Sequence, residues 1–166
     1  MLAIILLTVG ILSRFAVHLP NFTPVIAVAL MGGVYLPKRL AIVLSLILLL
    51  ITDLVIGFHN TMIFTWGSVI LIAAIGFWLR EKRTLPTILT ASLLSSILFF
   101  VITNFGVWLV GGLYEFTWQG LTLCFELAIP FFKNEVASSI LYSLLFHWGY
   151  EFAAVRLKNT RFAHVL

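Results

Sequence analysis

The sequence predicts an all-α fold, a polytopic membrane helical bundle that forms a single transmembrane domain over residues 1–166. Its mean hydropathy is +1.15, and 62% of the residues are hydrophobic while only 10% are charged. Soluble domains carry about 25% charged residues, so this chain could not cover its surface with polar groups in water. The apolar residues also fall into long runs separated by short polar turns, which is the pattern of membrane-spanning helices.

Six of these runs are candidates for transmembrane helices, which need about 20 apolar residues each, with a range of roughly 17–25. In chain order they are about Leu2–Leu19, Phe22–Leu36, Leu40–Phe58, Thr61–Leu79, Pro86 to Thr103 or beyond, and Val136–Val155. The second run is short for a span. The first run lacks a basic N-terminal region, and no small-residue cleavage site follows it, so we expect it to be retained as a helix and not removed as a signal peptide.

One further apolar stretch, residues 120–132, does not fit a full crossing. It is about a dozen residues long, a length typical of a re-entrant or interfacial helix. The polar triplet Lys133-Asn134-Glu135 follows it and indicates its end. We therefore predict six transmembrane helices plus a short re-entrant or interfacial helix near 120–132. The long connection Gly111–Asn134 contains three glycines that could act as hinges, and we expect it to form a lid.

Basic residues decide the predicted orientation. They follow the second, fourth and sixth runs, and the positive-inside rule places such clusters in the cytoplasm. The clusters are Lys38 and Arg39, then Arg80, Lys82 and Arg83, and finally Arg156, Lys158 and Arg161. Both termini are then cytoplasmic, and we expect a multi-pass protein of the bacterial cytoplasmic (inner) membrane with the lipid bilayer around it. No nucleic-acid partner is predicted, because these residues lie in short turns and not on an interleaved aromatic surface.

The unusual polar residues collect at the opposite, outer end of the predicted helices. The candidate substrate-binding residues are Arg14, His18, Asn21, Asp53, His59, Asn104, Trp108 and Glu126. Arg14 and His18 are four residues apart and share a helix face. Arg14 and Asp53 have opposite charges near the same boundary. An unpaired charge within a span costs on the order of 2.5–3.5 kcal/mol, so the two are natural partners.

Most of these candidates also have a purely structural interpretation, whereas Asn104 is less easily explained in that way. The Arg14–Asp53 pair is either a staple between helices or a contact for a ligand. The two histidines fit ordinary interfacial residues, and Glu126 fits an exposed surface acid. Trp108 fits either the aromatic belt that anchors membrane proteins at the headgroups or a stacking surface for a ligand.

Metal and catalytic chemistry find little support in the sequence. His147 and Glu151 are four residues apart, a spacing that suits a metal pair, but no third ligand accompanies them. The single cysteine, Cys124, excludes an intramolecular disulfide and a multi-thiolate metal site. No zinc-protease, nucleophile-elbow or phosphate-loop motif occurs. We therefore predict no enzyme activity, no metal and no cofactor, and an intramembrane enzyme is the least favoured class.

Four segments carry a resemblance to known proteins, and they read RFAVHLPNFTPVIAVALMGG, TDLVIGFH, TNFGVW and CFELAIPFFKN. They are Arg14–Gly33, Thr52–His59, Thr103–Trp108 and Cys124–Asn134. With them the chain resembles a family of uncharacterised small bacterial membrane proteins related to the S components of energy-coupling factor (ECF) transporters. The resemblance implies a binding subunit for a vitamin-like or micronutrient solute, with Asn104 and Trp108 lining a pocket that faces outward. It also implies partners, namely a transmembrane coupling subunit with two cytoplasmic ATPases.

The first apolar run departs from the S-component pattern. S components typically carry an Ala-x-x-x-Ala patch in the first helix for docking the coupling subunit, and this run has none. The nearest pair of small residues is Ala29 and Gly33 in the second run, a spacing that allows close helix approach. The alternative function is a structural or assembly membrane protein without a small-molecule ligand. A polar-lined outer cavity favours solute binding, whereas a dry bundle favours the alternative.

Overall fold

The computed structural model describes residues 1–16 and 19–158, and within these residues it is all-α without a β-strand, which confirms the all-α part of the predicted fold class. The described part of the chain forms six α-helices, which are α1 (Leu2–Phe15), α2 (Val25–Tyr35), α3 (Lys38–Ile56), α4 (Met62–Trp78), α5 (Leu85–Val110) and α6 (Trp118–Leu157). A short 3₁₀ turn, Leu79–Glu81, continues α4. Each of the predicted apolar runs overlaps one helix.

Local sequence signals set several of the helix ends. Thr84 precedes α5, and its hydroxyl accepts a hydrogen bond from the Thr87 amide at 3.5 Å. A proline occupies the first turn of the same helix, where its missing N–H costs no hydrogen bond. Thr117 caps α6 in the same way by accepting from the Gly120 amide at 3.1 Å. Gly57 ends α3 with a φ of 114°, a conformation that glycine adopts without strain.

The shortest helix, α2, lies at the centre of the bundle. It contacts each of the other five α-helices, and every residue from Val25 to Val34 is buried. The other helices are arranged around it in the order α1, α3, α4, α5 and α6, and each helix in this series contacts the next. Because α2 is apolar on all sides, it has no face for water, which is the pattern of a fully buried helix.

Helices α2 and α4 cross at backbone contact because each carries a glycine at the crossing. A Cβ atom at Gly33 would lie 2.3 Å from the carbonyl oxygen of Ala73, and one at Gly76 would lie 2.3 Å from that of Leu30. Gly33 belongs to the pair of small residues noted in the sequence, and its partner Ala29 is also buried. These small residues therefore serve close packing inside the bundle.

The C-terminal end of α2 is closed by Arg80, which lies in the 3₁₀ turn after α4. Its Nε donates to the carbonyl oxygen of Gly33 at 2.9 Å, and its Nη2 donates to that of Leu36. A cation is favourable there, because the last carbonyls of a helix carry a partial negative charge. Arg80 is thus a structural cap of the central helix as well as part of a basic cluster.

Three helical segments in the described chain are long and apolar enough to cross a membrane, namely Lys38–Ile56, Met62–Glu81 and Leu85–Val110. Helices α1 and α2 are shorter apolar helices. Large apolar side chains are exposed on the surface of the bundle, for example Ile4 at 71% and Val55 at 70% of their full area. These features are compatible with a membrane protein.

The prediction of a separate re-entrant or interfacial helix near 120–132 is wrong. Residues Trp118–Leu157 form one continuous helix of 40 residues, about 60 Å long at 1.5 Å per residue. The polar triplet lies within this helix and does not end it. Lys133 is on an exposed side of the helix and Glu135 is on a buried side. The expected lid is also shorter, since only residues 111–117 separate α5 from α6. Gly120 lies in the first turn of α6 and is buried, so it is not part of the loop.

Candidate functional site

One end of the bundle holds two neighbouring cavities of about 240 and 230 Å³. Helices α1, α3 and α5 end there, and α2 and α4 begin there, so we call it the cavity end. Four side chains line both cavities, those of Asn21, Thr65, Phe99 and Glu135. The two spaces therefore adjoin at these residues. The described basic clusters that follow α2, α4 and α6 lie at the opposite end of the bundle.

The predicted ion pair forms beside the first cavity. Arg14 Nη2 lies 3.3 Å from Asp53 Oδ1, and Trp66 Nε1 donates to Asp53 Oδ2 at 2.9 Å. The Asp53 side chain is only 2% exposed, whereas that of Arg14 is 19% exposed. Both oxygens of the buried carboxylate thus have a partner. Arg14 also lines the first cavity, and its guanidinium has further N–H groups with which to meet a ligand.

Glu135 differs from Asp53 because it has no ion-pair partner among the described residues. The residue is 5% exposed, and its Oε1 makes no hydrogen bond to a described residue. Within the described residues, the contact between Arg14 and Asp53 is the one ion pair. A carboxylate removed from water costs several kcal/mol unless a donor or a cation meets it. Because Glu135 lines both cavities, such a partner would approach it through them.

The second cavity combines aromatic walls with a few polar groups. Phe99, Phe100, Phe131 and Phe132 line it, and the ring centroids of Phe100 and Phe132 are 4.6 Å apart. Asn104 lines the same space and donates from Nδ2 to the Phe100 carbonyl oxygen at 2.8 Å. This bond uses one of the two amide hydrogens, so the side chain keeps hydrogen-bonding capacity for a ligand.

The turn between α1 and α2 brings Asn21 to the junction of the cavities. Its φ of 59° lies in the left-handed region, which asparagine tolerates better than most residues. The turn is tied to α6, because Asn134 Nδ2 donates to the Pro20 carbonyl oxygen at 3.0 Å. His18, the other candidate in this part of the chain, lies outside the described residues.

Asp53 contacts Arg14 beside the first cavity without lining it. Three further candidate residues also do not line either cavity. His59 is exposed, and its Nδ1 lies 2.7 Å from the hydroxyl oxygen of Thr61 in the turn between α3 and α4. Glu126 is exposed on α6. Trp108 donates from Nε1 to the Glu115 carbonyl oxygen at 3.1 Å and stacks on Phe116 at a centroid distance of 4.3 Å. The structure therefore brings together the candidates of α1, α3, α5 and the first turn, and it places these three elsewhere.

A second polar cluster joins α2 to α6 at the other end of the bundle. The Tyr35 hydroxyl lies 2.5 Å from His147 Nδ1 and 3.2 Å from Glu151 Oε1. An ionised carboxylate only accepts hydrogen bonds, so the hydroxyl donates to Glu151 and accepts from a protonated Nδ1 of His147. The two residues with metal-pair spacing thus share a tyrosine hydroxyl. Among the described residues, no group of three or more His, Cys, Asp or Glu side chains could hold a metal ion.

The sequence alone does not single out Glu135, because it follows Lys133 in what reads as a polar connection. A signal for it exists in the spacing of α6, where polar residues recur at every fourth position. The row consists of Glu135, Ser139, Ser143, His147 and Glu151, and its first four members are buried. Such a row in an apolar helix indicates an inward polar face. The threonine and the phenylalanine shared by the two cavities carry no comparable signal.

These features define an all-helical protein with apolar helices of membrane-spanning length and a two-part cavity at one end. The chain belongs to the family of unknown function DUF6580, whose model matches residues 1–161. No curated protein and no solved structure matches the chain. The resemblance to an uncharacterised family is thereby confirmed at the level of that family.

Proposed function

We propose that this chain is a membrane-embedded substrate-binding subunit, similar to an S component, for the uptake of a small vitamin-like or micronutrient solute. The observation that carries the proposal is the pair of adjoining cavities that share Asn21, Thr65, Phe99 and Glu135. Small-molecule sites are typically concave and mostly apolar, with a few convergent polar groups that fix the orientation of the ligand. The cavity end combines aromatic walls with an arginine, two asparagines and a carboxyl group, and so has this character.

The proposed setting is the bacterial cytoplasmic (inner) membrane, with six crossings and both termini in the cytoplasm. The basic clusters would face the cytoplasm, and the cavity end would then face outward, toward the incoming solute. Helices α1 and α2 have only 14 and 11 residues, which is less than a full span. For α2 this is acceptable, because protein surrounds it and it need not match the thickness of the lipid.

Transport also requires a source of energy or a gradient, and the sequence carries no nucleotide-binding motif. A transmembrane coupling subunit with cytoplasmic ATPases would supply it, or the chain would act as a solitary facilitator. The pair Ala29 and Gly33 is not available for docking such a subunit, because both residues are buried in the bundle. A coupling subunit would have to dock on the outer surface of another helix.

Mass spectrometry of small molecules that co-purify with the gently solubilised protein tests the proposal. Wild-type protein should retain a solute. Thr65→Trp should lose at least about tenfold of its occupancy, because the larger side chain fills the space where the two cavities meet. The matched control is Thr90→Trp, at an exposed position of α5 away from the cavity end, which should retain the solute at the wild-type level.

Two outcomes would contradict the proposal. Equal retention by the Thr65 and Thr90 variants would place the solute outside the cavities. If no solute co-purifies with folded wild-type protein under any gentle extraction, the structural or assembly function should replace the proposal. Asn104→Ala refines the site, since loss of solute in that variant would indicate a hydrogen bond from the wall of the second cavity.

A further inference from the structure

With both of their carboxyl groups ionised, the cavities would carry one negative charge that no described residue offsets. Arg14 brings one positive charge, while Asp53 beside it and an ionised Glu135 would bring two negative charges. This excess of one negative charge is the same whichever carboxylate pairs with the Arg14 guanidinium. In the structure the guanidinium lies against Asp53. Lys133 is close to Glu135 in sequence, but it is exposed while Glu135 is buried. A solute with a single positive charge would balance the site.

The surroundings of Glu135 favour an organic cation. The second cavity contains Glu135 together with the phenylalanine side chains Phe99, Phe100, Phe131 and Phe132. Aromatic rings attract ammonium groups through their negative faces, and the attraction grows when water is excluded. A charged amine can also donate hydrogen bonds to a carboxylate, and such charge-assisted bonds are stronger than neutral ones.

We infer that Glu135 binds the positively charged amine nitrogen of the solute, and that the phenylalanines of the second cavity contact its apolar or aromatic body. The inference rests on the proposed function, because it names the chemical class of the solute bound there. Arg14 would remain engaged with Asp53, so the site would discriminate against solutes whose only charge is negative.

Benzylammonium and benzyl alcohol are suitable probes because they have similar size and differ mainly in charge. The thermal unfolding midpoint of the purified full-length chain is followed against probe concentration, which gives an apparent dissociation constant. Wild-type protein should bind benzylammonium at least about tenfold more tightly than benzyl alcohol. Glu135→Gln should weaken binding of benzylammonium by about 10- to 100-fold, as expected for the loss of a charge-assisted hydrogen bond, with little change for the alcohol.

Glu126→Gln is the matched control, because Glu126 is an exposed carboxylate on the same helix. It should leave the preference for benzylammonium over benzyl alcohol unchanged. A purely structural role of Glu135 would change the unfolding midpoint of the ligand-free protein but not that preference. The midpoint is therefore recorded for each variant without probe.

Several results would overturn the inference. The first is equal binding of benzylammonium and benzyl alcohol by wild-type protein, and the second is tighter binding of benzoate than of benzylammonium. The third is a rise in the unfolding midpoint with sodium chloride that requires Glu135 and leaves no further rise when benzylammonium is added. The third result would assign the site to an inorganic cation. An uncharged co-purified solute that Glu135→Gln retains would refute the amine class while leaving solute binding intact. A Glu135-dependent amine site in a protein that never retains a solute would refute the proposed function instead.

Discussion

Asp53→Asn removes a buried charge but keeps an oxygen at the point where the Trp66 indole donates. In the wild-type protein, Arg14 Nη2 is 3.3 Å from Asp53 Oδ1. At an effective dielectric constant of about 20, this separation corresponds to a Coulomb attraction of about 5 kcal/mol. The cost of removing both charges from water opposes that attraction, so the net value of the pair is smaller. Removing one partner is more costly, because the other charge is left without compensation.

The two single substitutions should differ in size because the two side chains differ in exposure. Asp53→Asn leaves an arginine that is 19% exposed and can turn toward the cavity, whereas Arg14→Met leaves a carboxylate that is 2% exposed. We expect losses of about 3 and about 5 kcal/mol respectively in the free energy of unfolding. The double variant leaves no unpaired charge. It should therefore lose about 2–3 kcal/mol less than the sum of the two single variants.

The free energy of unfolding can be measured by titration with dodecyl sulfate in mixed micelles, followed by tryptophan fluorescence. Trp66→Phe serves as a separate arm, because it removes the 2.9 Å hydrogen bond and keeps both charges, at an expected cost of about 1.5–3 kcal/mol. Additivity of the Arg14 and Asp53 substitutions within about 0.5 kcal/mol would show that the pair is not coupled. A larger loss for Asp53→Asn than for Arg14→Met would refute the argument from exposure.

Three further predictions concern packing, the second polar cluster and topology. Gly33→Ala should destabilise by about 1–3 kcal/mol in the same titration, because its Cβ would meet the backbone of α4, while Gly67→Ala, with open space around it, should cost nothing. Tyr35→Phe should cost about 1–3 kcal/mol, because it removes the hydroxyl between a histidine and a glutamate. Glu115→Cys should react with an impermeant thiol reagent added outside intact cells and Lys158→Cys should not; outside labelling at Lys158 would contradict the six-span orientation.

The sequence predicts the ion pair and the end of the bundle at which it lies, because charged residues are rare in apolar helices and their positions are therefore informative. Arg14 and Asp53 fall near the ends of apolar runs that point the same way, and few other charges lie within those runs. The all-α class follows equally directly from run length and hydropathy. These features depend on the order of residues along the chain, and so the chain itself reveals them.

Features that depend on helix rotation or on chain continuity were harder to predict. Lys133 and Glu135 are two residues apart, so they lie about 200° apart around the helix, and only the packing of α6 decides which one is buried. A polar triplet resembles a helix end in the sequence. A helix can nevertheless continue through it when one polar side chain is exposed and another is buried beside a cavity. Trp108 could be placed at the end of α5, but its stacking on Phe116 depends on the path of the short loop that follows.

The enclosure of α2 has a consequence for how this protein can change over evolutionary time. A helix with one face toward lipid or water accepts replacements at a period of about 3.6 residues, because only its inner face is constrained. The ten consecutive buried residues Val25–Val34 leave α2 without such a free face. A saturation scan should therefore show an unbroken block of intolerance over about three turns, and neutral drift should be confined to the outer faces of the helices around it.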